Sequence, residues 1–480
     1  MRLSQQVCRY LTPTKIDYEQ PFSNDVSSKP STIYGILGTI KLLSGRYIIT
    51  VDKRELVGKI FGHKIYRAVE FSIHPFAKST SNLNEEEMET ETAYIEMLRY
   101  VLEIEGFYFS YTYDLTLTQQ RLSELGPDAK RQNIFERAER RFVWNGFLLD
   151  DWCGLVSAAL STPPVYAWPK LESFITPVIF GYVGILQPAT STASSFNVSD
   201  DTPCYALISR RSVFRAGTRF YARGVDKDAN AANTVETEQI AYIPPGNIFS
   251  FVQIRGSVPL FWSQRPDLKY KPLVKMGYGQ KDLTTRADER NELLGQIEVA
   301  PEQVEILKQH FHDVCFAQRY GRTIAINLLD EKGLERRLCR SYAIASQSVD
   351  QAELKYESFD FHRECSALKW NRLSILLDRL EPEIVTMRLV DSQTGVFRTN
   401  CIDCLDRTNV VQSMIAHRAL ELGLQQSHLA SSVSGEQSDF MRAIWPDFEQ
   451  AFKNVWADNA DILSVQYSGT KALKTDFTRT

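Results

Sequence analysis

The segment that most constrains the fold is a strand, a polar loop and a helix that follow one another between Gly395 and Leu420. Gly395-Val-Phe397 is a short apolar run typical of a strand. The loop after it contains Cys401 and Arg407, with five residues between them. Apolar residues then recur at helical spacing, at Val410, Val411, Met414, Ile415 and Leu420. This order of elements predicts an α/β domain whose loop binds a phosphate group.

The side chains of this loop are those of a nucleophilic phosphate site. A loop of this length curls around one phosphate, with backbone N–H groups pointing inward and both side chains reaching the phosphorus. Arg407 and the helix N-terminus favour the thiolate of Cys401, which is the nucleophilic form of cysteine. Arg407 can hold two phosphate oxygens into the transition state. Thr408 is predicted to donate a hydrogen bond to the thiolate or to assist release of the phosphorylated intermediate.

A leaving alkoxide needs a proton, so the site requires a general acid. Two carboxylates lie inside the loop, and Asp403 is the first choice for this role and Asp406 the second. His362 is a further candidate proton donor, although a hydrogen-bonded structural histidine is the preferred interpretation.

The loop cysteines have other interpretations, because a cysteine and an arginine at this spacing often occur by chance. Cys401 and Cys404 are also typical of small core residues. Their C-x-x-C spacing is that of a zinc half-site, but no second pair exists, although His310 and His312 lie close together. A thiol oxidoreductase would leave Arg407 and both acids without a role. Cys404 can protect Cys401 through a reversible disulfide, but simple packing is preferred.

Composition bounds the class of protein. The 480 residues suffice for two or three domains, and 43% hydrophobic and 24% charged residues are ordinary for a globular chain. The net charge of −4 argues against a general nucleic-acid binder. Eight scattered cysteines form no disulfide framework, which indicates a reducing compartment. The sequence contains no signal peptide and no run of about 18 apolar residues that would span a bilayer.

The Pro-, Ala-, Ser- and Thr-rich stretch Gln187–Pro203 predicts a domain boundary. Residues 1–186 predict a β-rich subdomain. Residues 187–480 predict a catalytic domain with a mixed, largely parallel sheet flanked by helices, which carries the loop at 401–407, so the fold class is α/β, or α+β overall. The predicted strands include Ile33–Leu43, Arg46–Val51, Lys59–Tyr66, Ala68–Ile73, Gly106–Thr118, Phe142–Leu149, Phe174–Ile185, Thr323–Leu329 and Ile384–Val390. A solvated acidic loop over Lys78–Thr92 is predicted to lead into a helix, and another helix begins at Pro301.

A basic cluster precedes the predicted catalytic core and has two interpretations. Its members are Arg210, Arg211, Arg215, Arg219 and Arg223. One interpretation is a cationic face that meets anionic lipid headgroups. The other is a set of internal salt bridges to acids such as Glu236 and Glu238. Lys269, Lys271 and Lys275 form a second, weaker patch.

The stretch Arg398-Thr-Asn-Cys-Ile-Asp-Cys-Leu-Asp-Arg-Thr-Asn409 resembles the signature of the Sac-domain phosphoinositide phosphatases. Twelve matching residues are far more specific than the bare spacing. The resemblance extends over essentially the whole chain, through Gly35–Gly45, Phe142–Gly146, Ser209–Arg219, Arg223–Asp226, Val235–Gln239, Ser257–Trp262 and Phe359–Cys365.

This resemblance implies hydrolysis of inositol-ring phosphates, mainly of phosphatidylinositol 4-phosphate, through a phosphocysteine intermediate. Cys401 is then the nucleophile and Arg407 the phosphate ligand, and no metal or cofactor is required. The resemblance also implies that residues 1–186 form the non-catalytic N-terminal subdomain of the family. The other residues expected to contact substrate are Arg398, Asn400, Asn409, Arg211 and Arg215.

Within the family the chain is similar to the enzyme of endoplasmic-reticulum and Golgi membranes, which carries two membrane-spanning helices after its catalytic domain. We therefore expect a truncated, soluble piece of a protein on the cytosolic face of these membranes. Its expected partners are phosphoinositide lipids at a membrane surface, with no nucleic acid; no protein partner is indicated. The alternatives are a catalytically weak phosphoinositide-binding scaffold and a protein-phosphotyrosine phosphatase. The latter class usually has a His before the cysteine, where Asn400 stands here, and glycines in the loop.

Overall fold

The computed structural model describes residues 32–76, 83–161, 175–187, 203–243, 247–264, 273–278, 281–282, 298–366, 369–387, 392–426, 447–473 and 479. The chain divides into two compact units. The first comprises residues 1–56, 64–115 and 126–179, and the second residues 57–63, 116–125 and 180–480. The predicted boundary Gln187–Pro203 lies outside the described residues except at its two ends.

The first unit is built on an antiparallel meander. Its strands are β1 Gly35–Lys41, β2 Arg46–Ile60, β3 His63–Pro75 and β4 Phe107–Phe109. Its helices are α1 Glu85–Leu102, α3 Pro127–Arg131, α4 Ile134–Arg137 and α5 Gly146–Ser161, and the short helix α2 Gln119–Glu124 belongs to the second unit. The predicted hairpin at Ser44-Gly45 is confirmed, since β1 pairs antiparallel with β2 there. Ile36 of β1 packs with Leu149 and Trp152 of α5 in a buried cluster.

Four predictions in this part of the chain were wrong. The predicted strand Lys59–Tyr66 contains the turn between β2 and β3, where Phe61 and Gly62 have positive φ angles. The acidic stretch is helical from Glu85, because Asn84 caps the helix through Glu87 and acidic residues suit a helix N-terminus. The predicted strand Phe142–Leu149 is a 3₁₀ turn followed by α5. The aromatic segment Gly106–Thr118 is extended only over β4. Residues 78–82 of the predicted acidic loop lie outside the described ranges.

The second unit contains a mixed sheet. Its strands are β5 Ile179–Leu186, β6 Cys204–Arg211, β7 Val235–Ile243, β8 Asn247–Arg255, β12 Arg322–Asn327, β13 Leu354–Ser358 and β14 Gly395–Asn400. Their order is β5-β6-β7-β8-β14-β12-β13. Strands β5 to β8 pair antiparallel, whereas β8, β14, β12 and β13 pair parallel. Strands β9 Trp262–Gln264, β10 Val274–Tyr278 and β11 Lys281–Asp282 form a separate small sheet. The predicted α/β class with a mixed sheet is confirmed, and the parallel half carries the loop.

Helices cover both faces of the parallel half. They are α6 Pro301–His312, α7 Arg336–Ser346, α8 Phe361–Glu364, α9 Leu373–Thr386, α10 Asp406–Gln426 and α11 Phe448–Ser468. Ile324 and Ile326 of β12 pack in one core cluster with residues of α9, α10 and α11. Ala325 lies in another cluster with residues of α6 and α7, as the two-residue period of a strand requires. The predicted strand Ile384–Val390 was wrong, since buried Leu380 and Ile384 continue the apolar face of α9.

Candidate active site

The loop after β14 lies at the carboxyl end of the parallel strands. Strand β14 is flanked by β8 and β12 and ends at Asn400, and α10 begins at Asp406. The side chain of Cys401 is buried, with only 3% of its surface exposed. Ligands in open α/β sheets bind at this edge, so the fold places the loop where a substrate is expected.

Cys404 shapes the turn of the loop. Its backbone is left-handed, with φ of 53°, which is uncommon for a residue other than glycine. Its thiol donates to the carbonyl of Gly256 at 2.9 Å and lies 3.4 Å from that of Cys401. Burial first, and then the nearby Cys401, raise the pKa of Cys404 to about 12. Cys404 is therefore held as a neutral, packed thiol.

Arg407 is held by two carboxylates from the segment that follows β12. Its Nη1 and Nη2 atoms contact the two oxygens of Glu335 at 3.1 and 2.8 Å, and Nη1 also lies 3.3 Å from Asp330. Nη1 donates to the carbonyl of Leu328 at 2.9 Å. Glu335 thus occupies the Nη1–Nη2 edge of the guanidinium, and the Nε–Nη2 edge faces a different direction. Burial opposes the charge, yet Cys401, Glu335 and Asp330 together raise the pKa of Arg407.

His362 belongs to the same network. Its Nδ1 lies 2.7 Å from Asp330, which in turn contacts Arg407. His362 is half exposed and is hydrogen-bonded to Asp330, so it lies at the edge of the group of residues that contact Arg407. This is the preferred interpretation of the sequence.

Asp403 is clamped by two arginines of the basic cluster. Its Oδ1 lies 2.5 Å from Arg223 Nη2 and 3.3 Å from Arg219 Nε. Arg223 Nη1 also donates to the carbonyl of Ile402 at 2.9 Å, and Asn233 donates to the carbonyl of Asp403 at 3.1 Å. The segment after β6 therefore supports both the backbone and the side chains of the loop.

Comparison with known proteins identifies the family. The SacI homology domain model matches residues 34–366. The chain belongs to the SacI homology family. The match covers more than half of the chain, and it confirms the resemblance to Sac-domain proteins.

Curated relatives extend this similarity to the loop. "Phosphatidylinositol-3-phosphatase SAC1-A" of Danio rerio is 39% identical over 460 residues, covering 93% of this chain and 69% of the relative. "Phosphatidylinositol-3-phosphatase SAC1" of Drosophila melanogaster is 40% identical over 458 residues, covering 93% and 68%. "Phosphoinositide phosphatase SAC7" of Arabidopsis thaliana is 36% identical over 476 residues, covering 97% and 71%. A continuous alignment over 93% of the chain necessarily includes the loop at 401–407.

The described part of this Sac-domain chain contains neither a candidate membrane-spanning helix nor a candidate metal site. No helix within the described ranges is long and apolar enough to cross a membrane. Among the described residues, no group of three or more His, Cys, Asp or Glu side chains is arranged to hold a metal ion.

Asp406 stands at the first position of α10. Its Oδ1 accepts a hydrogen bond of 2.8 Å from the backbone N–H of Leu473. Both acids are partly exposed, but among the described residues Asp406 contacts no arginine of the basic cluster, whereas Asp403 contacts two. The two predicted acids of the Sac-domain loop therefore lie in different environments.

Arg398, an expected substrate ligand, points into the protein. Its Nε donates to His310 Nε2 at 3.1 Å, and its Nη2 donates to the carbonyl of Ser257 at 2.7 Å. His310 Nδ1 lies 2.8 Å from the carbonyl of Ala229, which makes the ring a neutral tautomer with its proton on Nδ1. Burial first, and then Arg398, lower the pKa of His310 to about 3. Arg398 thus ties β14 to His310 of α6 and to the backbone at Ser257.

The buried His310 predicts a loss of stability in acid. Its pKa is about 3 in the folded state but about 6.5 in an unfolded chain, so its contribution is full above pH 6.5 and falls as the pH is lowered. Replacing His310 by Gln keeps one acceptor and one donor but removes the titration. We expect the wild type to lose about 2 kcal/mol more than the His310→Gln variant between pH 7 and pH 5, as measured by urea unfolding. Equal losses in the two proteins would contradict the assignment.

Asn400, Thr408 and Asn409 of the signature are buried. Asn400 donates to Asn327 at 2.7 Å, and Asn409 contacts Arg255 at 3.4 Å and the carbonyl of Trp456 at 3.2 Å. Thr408 is fully buried, and within the described residues its hydroxyl has no hydrogen-bond partner. Burying a hydroxyl without a hydrogen bond costs free energy. The predicted hydrogen bond from Thr408 to the Cys401 thiolate or to the phosphorylated intermediate would remove this cost.

The basic cluster divides between the two interpretations. Arg210 is buried between Glu236 and Glu238, at 3.1 and 2.6 Å, so it forms the predicted internal salt bridges. Arg211 is also buried, donates to the carbonyl of Gly217 at 2.9 Å, and has its pKa lowered to about 10 by burial. Arg215 is half-buried, and its guanidinium is bound to carbonyl groups of its own segment. The headgroup contacts expected of Arg211 and Arg215 stay a prediction, and they would require both guanidinium groups to exchange these carbonyl partners for phosphate oxygens.

Arg255 is a residue of the site that sequence reasoning missed. It ends β8, whose residues are otherwise largely apolar, and only 1% of its surface is exposed. Its Nε and Nη1 have no hydrogen-bond partner among the described residues. Burial lowers its pKa to about 10, against the opposing influence of Cys404 and then Cys401. The sequence signal that could have identified Arg255 is a charged residue at the end of a largely apolar strand, because a buried charge needs a partner.

Proposed function

We propose that this Sac-domain chain hydrolyses phosphate monoesters on the inositol ring of phosphoinositides, mainly phosphatidylinositol 4-phosphate. The observation that carries the proposal is the placement of Cys401 and Arg407 at one loop, at the carboxyl end of parallel strands. The electrostatic influence of Cys401 on Arg407 supports their proximity. The relatives named as phosphoinositide phosphatases support the substrate class.

The geometry suits a two-step displacement. The sulfur of Cys401 attacks phosphorus, the bond to the ring oxygen breaks, and that oxygen leaves with a proton from a carboxylic acid. Water then attacks the phosphocysteine, the S–P bond breaks, and inorganic phosphate is released with the thiolate regenerated. The Nε–Nη2 edge of Arg407 would hold the phosphoryl oxygens while Glu335 fixes the adjacent Nη1–Nη2 edge. The buried guanidinium of Arg255 interacts electrostatically with Cys404 and Cys401, and it would supply positive charge near the nucleophile.

Asp406 is the better placed of the two predicted proton donors. Asp403 is the partner of the buried Arg223, and protonating it would leave that charge uncompensated. Within the described residues Asp406 accepts one backbone N–H on its Oδ1 and forms no ion pair, so its use as an acid leaves no buried charge without a partner. Asp406→Asn should therefore slow lipid hydrolysis while sparing an aryl phosphate, whose leaving group needs no proton. Equal losses on both substrates would contradict this role.

The substrate assignment is tested by phosphate release from every singly and doubly phosphorylated phosphoinositide. We expect the highest kcat/KM with phosphatidylinositol 4-phosphate. The SAC1 relatives are named as phosphatidylinositol-3-phosphatases. A higher value with the 3-phosphate would contradict the preference for the 4-phosphate but leave the proposed phosphatase chemistry intact. Negligible release with headgroup binding retained would favour a scaffold. Faster release from phosphotyrosine peptides would favour a protein phosphatase.

The proposed location is the cytosolic face of endoplasmic-reticulum and Golgi membranes, as the resemblance of the loop and its flanking motifs implies. Imaging of the tagged full-length protein beside markers of both compartments tests this assignment. A uniform distribution away from these membranes would contradict it.

A further inference from the structure

An ordered segment beside the candidate active site exposes three aromatic side chains. We call residues 212–224, which follow β6, the aromatic loop. Within it Phe214 is 44% exposed, Phe220 46% and Tyr221 86%. Large aromatic residues are usually buried, and several exposed together mark an interaction surface.

The exposure does not come from a lack of local structure. Arg215 donates through Nε to the carbonyls of Arg223 and Gly224, both at 3.2 Å, which ties the two ends of the loop together. The backbone N–H groups of Tyr221 and Ala222 bond to Thr218 at 3.0 and 2.9 Å and form a helical turn. The aromatic loop therefore presents Phe220 and Tyr221 on a fixed scaffold.

The same loop is joined directly to the catalytic loop. Arg219 and Arg223 both pair with Asp403, and Arg223 also bonds to the carbonyl of Ile402. Arg219 is adjacent to Phe220 in sequence, and its guanidinium lies 5.8 Å from the ring centre. Phe220 and Tyr221 therefore lie in sequence between two arginines, Arg219 and Arg223, that bind the catalytic loop.

The chemistry of this surface fits the interface of an anionic bilayer. Aromatic rings partition to the level of lipid headgroups, and arginine beside them pairs with lipid phosphates. The Arg219 side chain is 30% exposed, so its guanidinium can reach such a partner. A water-soluble inositol phosphate would offer nothing to bury Phe220 and Tyr221.

We propose that the aromatic loop inserts Phe220 and Tyr221 into the headgroup layer of an anionic membrane and so positions Cys401 over a lipid substrate. This inference rests on the proposed phosphoinositide activity and adds to it the surface that meets the membrane. Arg219 links the two by contacting both Asp403 and the lipid-facing aromatic ring.

The test compares wild type with a Phe220→Ser/Tyr221→Ser variant of the whole chain on two forms of one substrate. The first is phosphatidylinositol 4-phosphate in vesicles of phosphatidylcholine and phosphatidylserine. The second is a short-chain phosphatidylinositol 4-phosphate kept monomeric in water. We expect the variant to lose at least about tenfold in vesicle binding and vesicle hydrolysis, from the loss of buried aromatic surface. Turnover of the monomeric lipid should stay within about twofold, since no catalytic contact changes.

Tyr100→Ser is the matched control, because Tyr100 is 69% exposed on α1 of the first unit and should leave both measurements unchanged. Wild-type vesicle binding by the double variant would overturn the proposal and favour a protein partner for the loop. An equal loss on monomeric and vesicle substrate would overturn it by indicating a role in the catalytic loop itself. Wild type that binds vesicles but hydrolyses neither substrate would refute the phosphatase assignment, while the binding comparison still decides the role of the aromatic loop.

Discussion

Replacing Cys401 by Ser is expected to lower phosphate release from phosphatidylinositol 4-phosphate by at least about a thousandfold. A serine hydroxyl is almost fully protonated near neutral pH, so the displacement loses its nucleophile. Cys401 is a buried residue of the loop, and the exchange of sulfur for oxygen changes its volume little. We therefore expect the loss in kcat, with binding of the lipid headgroup retained.

Cys404→Ser is the matched control for this variant. Cys404 lies in the same loop and is equally buried, and a serine hydroxyl can still donate to the carbonyl of Gly256. Its activity should stay within a few-fold of wild type, and acid quenching should trap a phosphocysteine in it as in the wild type. Unchanged turnover of Cys401→Ser would refute the phosphocysteine mechanism. Comparable losses in both variants would indicate damage to the loop instead.

The loop itself could be predicted from the sequence because its determinants are local. An apolar run, a polar stretch with Cys401 and Arg407, and a helical pattern from Val410 are contiguous, and the structure confirms this order of elements. Local patterns were less reliable where apolar runs are short. Phe142–Leu149 has the composition of a strand, but Asn145 donates to the carbonyls of Leu37 and Thr176, and the chain turns into a helix.

The partners of the loop residues could not be predicted because they come from distant strands. Glu335 and Asp330 follow β12, which is the parallel neighbour of β14, so only the sheet order brings them to Arg407. The basic cluster shows the same limit. Spacing along an extended segment suggested one shared face, whereas burial separates Arg210 from Arg219.

Replacing Arg407 by Lys is expected to lower kcat/KM by about a hundredfold to a thousandfold. A lysine ammonium cannot bind Glu335 on one edge and two phosphoryl oxygens on the other, because it lacks the planar fork of the guanidinium. Loss of one such donor to a developing charge typically costs this much. The variant also leaves Glu335 and Asp330 less well paired, so we expect its Tm to fall by a few degrees.

Arg418→Lys separates the catalytic effect from a general effect of this exchange. Arg418 lies on the same helix, α10, and binds Glu381 through Nε and Nη2, so it loses a similar two-pronged contact away from the loop. Its kcat/KM should stay near that of wild type. Glu335→Gln should show an intermediate loss, in kcat more than in KM, because Arg407 keeps its charge but loses part of its orientation. Retention of more than a tenth of wild-type kcat/KM by Arg407→Lys would mean that a point charge suffices, and that Glu335 does not fix Arg407 for the transition state.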